Sequence, residues 1–322
     1  MSSTIWTNAF LTQDARELLK DVTKSHRLLI SEEPDDVLSV GKPDEQLTEA
    51  EILFGQPDPG LIIASINAKW IHVSSAGYAR YDNESFKNWL KTRSAIFTNS
   101  SSVFDEPCAQ HLMGWILADS RLFYPAYDNQ KEAKAWPQNK LREQMRLLTN
   151  QTILILGYGS IGRRLTELLA PYSVRIIGFK RTPAHVSGVE IVGLADLPNA
   201  LARTDHVVNI LPESKSTQNF VSSNLFKQLK PGARYYSIGR GTTTDQRALE
   251  NYLGNGHLAA AYLDVTDPEP LPPNDPLWSV PHCYITPHSG GGHDDESSRL
   301  VQHFLANLRR FEKGEPLLNR VF

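Results

Sequence analysis

The stretch TILILGYGSIGRRLTELLA, Thr152 to Ala170, constrains what this chain can fold into more than any other segment. An uninterrupted apolar run of strand length leads into glycines at 157, 159 and 162, and an amphipathic helical pattern follows. A G-x-G-x-x-G spacing alone arises often by chance. Between a strand and a helix it specifies a dinucleotide-binding turn. Gly157 permits the tight turn, Gly159 lets backbone approach a pyrophosphate, and Gly162 lets helix and strand pack closely. The amides of Tyr158, Gly159, Ser160 and Ile161 are then expected to face phosphate from a helix N-terminus.

The pattern on both sides of this turn is strand, helix, strand. Downstream, VRIIGF, HVVNIL, ARYYSIG, AAYLDV and CYITP read as apolar strands, with helical segments between the early ones. Such a series folds as a parallel sheet with helices on both faces. Upstream, RLLISEE, EILFG, LIIAS and IHVSSAG read as strands, and TQDARELLKDV as a helix. From Pro107 to Phe123 the chain reads as a helix apolar over most faces, hence one buried between two bodies. ESSRLVQHFLANLRRFEKG reads as a helix that packs back on the first body. The fold class is therefore α/β with two doubly wound parallel sheets, a Rossmann cofactor domain inserted in a flavodoxin-like substrate domain. The expected divisions are 1–118 with 289–322 for the substrate domain and 119–288 for the dinucleotide-binding domain.

Bulk properties exclude several function classes. Against 36 acidic residues stand 33 basic ones, a net charge of −3 over 322 residues, so no basic field points to nucleic acid. The start of the chain lacks the cationic and apolar regions of a signal peptide. No apolar run approaches the roughly 18 residues of a membrane helix. Two cysteines, Cys108 and Cys283, make neither a disulfide framework nor a metal-spaced cluster. A cytoplasmic protein with no metal and no membrane partner is expected.

The second strand of the dinucleotide unit ends VRIIGFKRT. A carboxylate there would hydrogen-bond the adenosine ribose hydroxyls and repel a 2′-phosphate. Lys180 and Arg181 stand there instead, followed by Thr182. Cations invert both preferences, because guanidinium binds phosphate as a bidentate fork. NADP(H) is therefore the expected cofactor, with NAD(H) possible.

Three later stretches hold groups for hydride chemistry: SIGRGTTTD with Arg240, YLDVTDPEPLP with Asp264 and Glu269, and YITPHSGGG with His288. Ligands of such sheets bind at the carboxyl ends of strands, where these residues fall. Reducing a 2-keto acid needs a cation for the carboxylate and carbonyl, a proton donor titrating near neutrality, and a carboxylate to orient that donor. Arg240, His288 and Glu269 supply one of each. His111, Trp278 and the cysteines read as packing residues, Trp278 as core.

TNSSSVFDEPCAQHLMGWILADSR, GYGSIG, NILPESKSTQNFV, FKQLKPGARYYSIGRGTTTD, YLDVTDPEPLPPNDPLW and YITPHSGG together resemble the D-isomer-specific 2-hydroxyacid dehydrogenase family, glyoxylate/hydroxypyruvate reductases in particular. The likeness runs from about the SSAG loop to GEPLLNRV. It implies Arg240 as substrate anchor, His288 as acid/base and Glu269 as its partner. It implies that Asp264 contacts the nicotinamide carboxamide and that Leu211 and Pro212 lie along the adenosine, with Ile238 and Gly239 also counted among the cofactor contacts. It implies that amides around Ser75, Ala76 and Gly77 bind the substrate carboxylate, that the substrate is a small 2-keto or 2-hydroxy acid, and that the protein is a homodimer. The chain departs from the family at Lys180, where NAD-using members carry an acid, in YARYD after Gly77, and at Gln110. A dinucleotide-sensing corepressor and a phosphoglycerate dehydrogenase are the alternative readings. No residue declares which 2-keto acid is used.

Overall fold

Every strand pair in both sheets of the computed structural model is parallel. The structure describes residues 2–35, 38–39, 42–183 and 185–322. It divides into two compact units, Met1–Phe104 with Gly292–Phe322, and Asp105–Gly291. Those divisions, at 104/105 and 291/292, differ from the expected 118/119 and 288/289.

In the first unit the elements run β1 (Thr4–Ala9), α1 (Gln13–Val22), β2 (Arg27–Asp35), β3 (Ile52–Gly55), α2 (Pro59–Ala64), β4 (Trp70–Val73), α3 (Glu84–Arg93) and β5 (Ile96–Thr98). The sheet order β2-β1-β3-β4-β5 is the flavodoxin-like one. Trp6, Leu53, Ile71 and Phe97 lie on the strands of its core and are fully buried. LIIAS, expected as a strand, is the core of α2. Asp58 caps that helix by accepting from the Leu61 amide at 2.9 Å, and Pro59 presets its first turn. A five-residue apolar run carries no period that separates strand from helix, so the cap decides.

Helix α4 (Ser101–Ser120) starts six residues before the expected Pro107, which lies inside it. The second unit continues with α5 (Phe123–Lys131), α6 (Gln138–Gln144), β6 (Thr152–Leu156), α7 (Ser160–Leu169), β7 (Arg175–Phe179), β8 (Glu190–Val192), α8 (Leu197–Leu201), β9 (His206–Asn209), α9 (Ser223–Lys227), β10 (Ala233–Ser237), α10 (Gln246–Gly254), β11 (Leu258–Leu263) and β12 (Cys283–Ile285). The order β12-β11-β10-β9-β6-β7-β8 reverses direction between β6 and β9. Such a switch point opens a crevice outside the carboxyl ends of the strands, where ligands of these sheets bind. Helix α11 (Glu296–Glu312) returns to the first unit as expected, and Phe304 stacks on Phe54 at 4.5 Å and Trp70 at 5.2 Å. Trp278, expected in the core, is half exposed, with its indole N–H donating to Pro272 O at 2.9 Å. Among the described residues no helix is long and apolar enough to cross a membrane.

Candidate active site

β6 is buried along its whole length and ends at Gly157, whose φ of +85° is open to glycine at little cost. A Cβ there would also sit 2.9 Å from the Ile210 carbonyl oxygen of the loop after β9. At Gly162 a Cβ would press on Ile155 and Tyr158 at 3.2 and 3.3 Å, so this glycine sets the approach of α7 to its strand. Gly159 is different. A Cβ there would meet only the Gly157 carbonyl oxygen, at 3.9 Å, so protein packing does not require a glycine. Open space at the N-cap of a helix with no side-chain cap fits a phosphate group.

The donors at this end are fewer than expected. The Tyr158 amide donates to Phe179 O at 3.0 Å, and the Gly159 amide to Gly157 O at 2.8 Å. That leaves the amides of Ser160 and Ile161 to face a ligand. The Tyr158 ring packs under β7, where a Cβ on Gly178 would sit 2.7 Å from it.

β7 delivers Lys180, Arg181 and Thr182 at its carboxyl end. The Lys180 amide is fixed to Val192 O at 3.1 Å, and Arg181 and Thr182 are exposed. Among the described residues neither cation forms an ion pair, and no acid stands at the strand end.

The loop after β10 carries Ile238, Gly239 and Arg240. Gly239 lies against the loop after β9, where a Cβ would be 2.5 Å from Leu211 O, and Gly241 lies against Thr266, where a Cβ would be 1.8 Å from its carbonyl oxygen. Arg240 is thus held between two obligatory glycines. Its Nη1 donates to Gly239 O at 2.7 Å, and its carbonyl accepts from the Thr243 hydroxyl at 2.6 Å. Leu211 is buried and its amide donates to the Asn209 side chain at 3.2 Å; Pro212 beside it is exposed.

His288 follows β12 with φ of +50°, a left-handed conformation costly for a residue with a Cβ. Its amide donates to Asp264 O at 2.8 Å. The Asp264 carboxylate, at the end of β11, accepts from the amides of Ser289 and Gly290, both at 2.9 Å, and from the Thr286 hydroxyl at 2.5 Å. Asp264 therefore fixes the turn that presents His288. The His288 Nδ1 lies 2.8 Å from Glu269 Oε2, while Glu269 Oε1 accepts from the Thr266 amide at 3.0 Å. Burial pushes the Glu269 carboxyl up, but the bond to His288 and the charges of His288 and Arg240 outweigh it and hold it below the usual range. With Nδ1 engaged by a carboxylate, Nε2 of His288 is the ring atom left to exchange a proton.

One further group belongs to this network. The His111 Nε2 lies 3.3 Å from the Thr286 hydroxyl and 3.9 Å from Asp264 Oδ1, with its ring edge-on to Trp115 at 4.1 Å. Burial pushes its pKa down, against the pull of Asp264. The helical pattern around His111 carries no signal of this contact, because its partners lie about 150 to 175 residues away, a separation no local period reports.

Ser75, Ala76 and Gly77 lie in the first unit, in the loop after β4. Among the described residues no acceptor takes up their three amides, whereas the Gly77 carbonyl accepts from the Ser75 hydroxyl at 2.6 Å. Successive unsatisfied amides form a concavity suited to an anion.

Comparison with known proteins agrees with this geometry. Residues 113–290 match the family described as D-isomer specific 2-hydroxyacid dehydrogenase, NAD binding domain. An uncharacterized protein of Corynebacterium melassecola, from the proB 3′ region, is 30% identical over 281 residues, 86% of this chain and 90% of that protein. Glyoxylate/hydroxypyruvate reductase A of Yersinia enterocolitica is 32% identical over 193 residues, 59% of this chain and 60% of that enzyme. The crystal structure of a D-isomer specific 2-hydroxyacid dehydrogenase of Xanthobacter autotrophicus in complex with NADPH and MES superposes with a TM-score of 0.83 at 25% identity, over 100% of this chain and 98% of that one. The chain belongs to the D-isomer specific 2-hydroxyacid dehydrogenase family of oxidoreductases.

Proposed function

We propose that this protein reduces a small 2-keto acid to the 2-hydroxy acid with NADPH. The carrying observation is the 2.8 Å contact between His288 and Glu269 at the same strand ends that hold Arg240. The open N-cap of α7 takes the pyrophosphate through the amides of Ser160 and Ile161, Leu211 and Pro212 flank the adenosine, and Lys180, Arg181 and Thr182 take the 2′-phosphate. The Xanthobacter relative's complex with NADPH favours the same cofactor. Ile238 and Gly239 border the nicotinamide and Asp264 orients its carboxamide. When bound, the cofactor supplies the hydride. Arg240 neutralises the substrate carboxylate and polarises the carbonyl. The amides of Ser75, Ala76 and Gly77 also bind that carboxylate. His288 donates the proton from Nε2, and Glu269 stabilises its charged form.

We also propose that the protein works as a homodimer. No residue of helices α5 and α6 is fully buried, although Tyr124 of α5 packs on Tyr284, and Phe123, Tyr127 and the 90% exposed Trp136 lie on or between them. Helices without a fully buried residue gain little from propensity alone, so a second copy covering their exposed aromatics supplies further packing. Sedimentation at micromolar concentration is expected to give a dimer, and a monomer would contradict this.

Replacing both Lys180 and Arg181 by Ala is expected to raise the KM for NADPH about 10- to 100-fold, the scale of one or two charge-assisted hydrogen bonds. The KM for NADH should stay within about threefold on that scale. Equal losses with both cofactors would remove the cation pair from phosphate binding.

Reduction consumes a proton, so its rate falls as pH rises. Because the Glu269 carboxyl is held below the usual range, it stays ionised and supports His288 as the medium becomes mildly acidic. In Glu269→Gln the imidazolium loses that support, so the falling limb should move to lower pH, with the neutral-pH rate down about tenfold or more. An unchanged pH–rate profile would refute the assigned pairing.

A further inference from the structure

All three carbonyls of the loop Ser75–Gly77 are taken, while among the described residues its amides have no acceptor. The Ser100 amide donates to Ser75 O at 3.0 Å, Asn99 Nδ2 donates to Ala76 O at 2.8 Å, and the Ser75 hydroxyl donates to Gly77 O at 2.6 Å. In a trans peptide the carbonyl and the following N–H point in opposite directions. The Ser100 bond therefore aims the Ala76 amide, and the Asn99 bond aims the Gly77 amide, away from β5 and its following loop.

Asn99 is built for this task. It is 5% exposed, so its amide is shielded from solvent. Its Oδ1 accepts from the Ser101 amide at 3.3 Å and the Ser101 hydroxyl at 3.0 Å, which leaves Nδ2 as the end facing Ala76. A flipped side chain would lose the bonds to the Ser101 amide and to Ala76 O. The main chain of Asn99 is tied as well: its amide donates to Asn319 O at 3.1 Å, while Asn319 Nδ2 donates to the Ser101 hydroxyl at 2.6 Å. On the other side the Ser100 hydroxyl donates to Val73 O at 2.9 Å and meets the buried His72 at 3.1 Å. The donor to Ala76 is thus preset by two strand ends and the 319 segment, not by the loop it orients.

We propose that Asn99 is a positioning residue for substrate binding, holding the Ala76–Gly77 peptide so that the Gly77 N–H is directed at the carboxylate of the 2-keto acid. The assignment rests on the reading that Ser75–Gly77 bind that carboxylate. Asn99 acts through the peptide and does not touch the substrate.

Steady-state kinetics with glyoxylate as the 2-keto acid and NADPH, together with NADPH titration by fluorescence, tests this. Asn99→Leu keeps the size of the side chain and adds no charge. It should raise the KM for glyoxylate about tenfold, leave kcat within about threefold, and leave NADPH affinity unchanged, as loss of one directed hydrogen bond requires. Asn99→Asp keeps the acceptor for Ser101 and loses the donor, so it serves if the leucine variant does not fold, and it should show the same split. A merely structural role would lower kcat with the amount of folded enzyme and leave KM in place. Gly77→Pro, which removes the N–H itself, separates the two levels. If Gly77→Pro raises KM while both Asn99 variants keep it within twofold, the positioning role is overturned and the carboxylate loop stands. If Gly77→Pro leaves KM unchanged, or the unaltered protein does not reduce the keto acid, the loop reading fails and the role of Asn99 falls with it.

Discussion

Three close backbone approaches at the carboxyl edge of the second sheet govern the candidate site. Gly157 meets the loop after β9, Gly239 meets the same loop from the other side, and Gly241 meets Thr266. Each position leaves no room for a Cβ. Loops that follow β6, β9, β10 and β11 therefore stack main chain on main chain, and the side chains between them have fixed origins. Arg240 sits between two of these contacts. Thr266, pressed by Gly241, also donates its amide to Glu269, which in turn holds His288. Cation, carboxylate and imidazole thus trace back to glycines, which supply no chemistry themselves.

The cost of this arrangement is concentrated at His288. A left-handed backbone at a residue with a Cβ costs on the order of 1–3 kcal/mol. The Asp264 carboxylate, buried at 2% exposure, offsets it with two amide bonds and a hydroxyl bond around the same turn. Behind the turn the sheet is stiffened by Tyr236, Tyr262 and Tyr284, which pair in register on β10, β11 and β12 with ring centroids 5.0 and 5.1 Å apart. Tyr124 extends the row at 4.4 Å. Asp119 takes the Tyr262 hydroxyl and the Arg234 guanidinium, a buried pair whose removal on one side would leave an uncompensated charge. A rigid sheet edge is what His288 needs for the proton transfer proposed for it.

Much of this is legible in the sequence because it is local. The glycine turn declares its strand, its helix and its order in one stretch, and the tail helix declares its period. The alternation of VRIIGF, HVVNIL and ARYYSIG carries the parallel sheet. What escapes is set by distant partners. LIIAS becomes a helix because Asp58 caps it. The Tyr158 and Gly159 amides are spent on Phe179 and Gly157, which thins the expected row of phosphate donors. β1, β5 and β8 mix polar residues into short strands, so no period marks them; Asn8 in β1 is buried because Asp35 and Gln56 meet it. His111 and Asn99 acquire their contacts only when strand ends remote in sequence are brought together, and no spacing encodes that.

The most direct test of the account follows the hydride itself. NADPH deuterated at the transferable position of C4 is incubated with the protein and a 2-keto acid, and the product is read by NMR. Deuterium bonded to C2 of the 2-hydroxy acid is the predicted result, with the label lost from the product in Arg240→Ala and His288→Ala in proportion to their lost turnover. Tight binding of NADPH with no labelled 2-hydroxy acid formed from any of a panel of keto acids would contradict it, and would leave a dinucleotide-binding protein in place of a reductase.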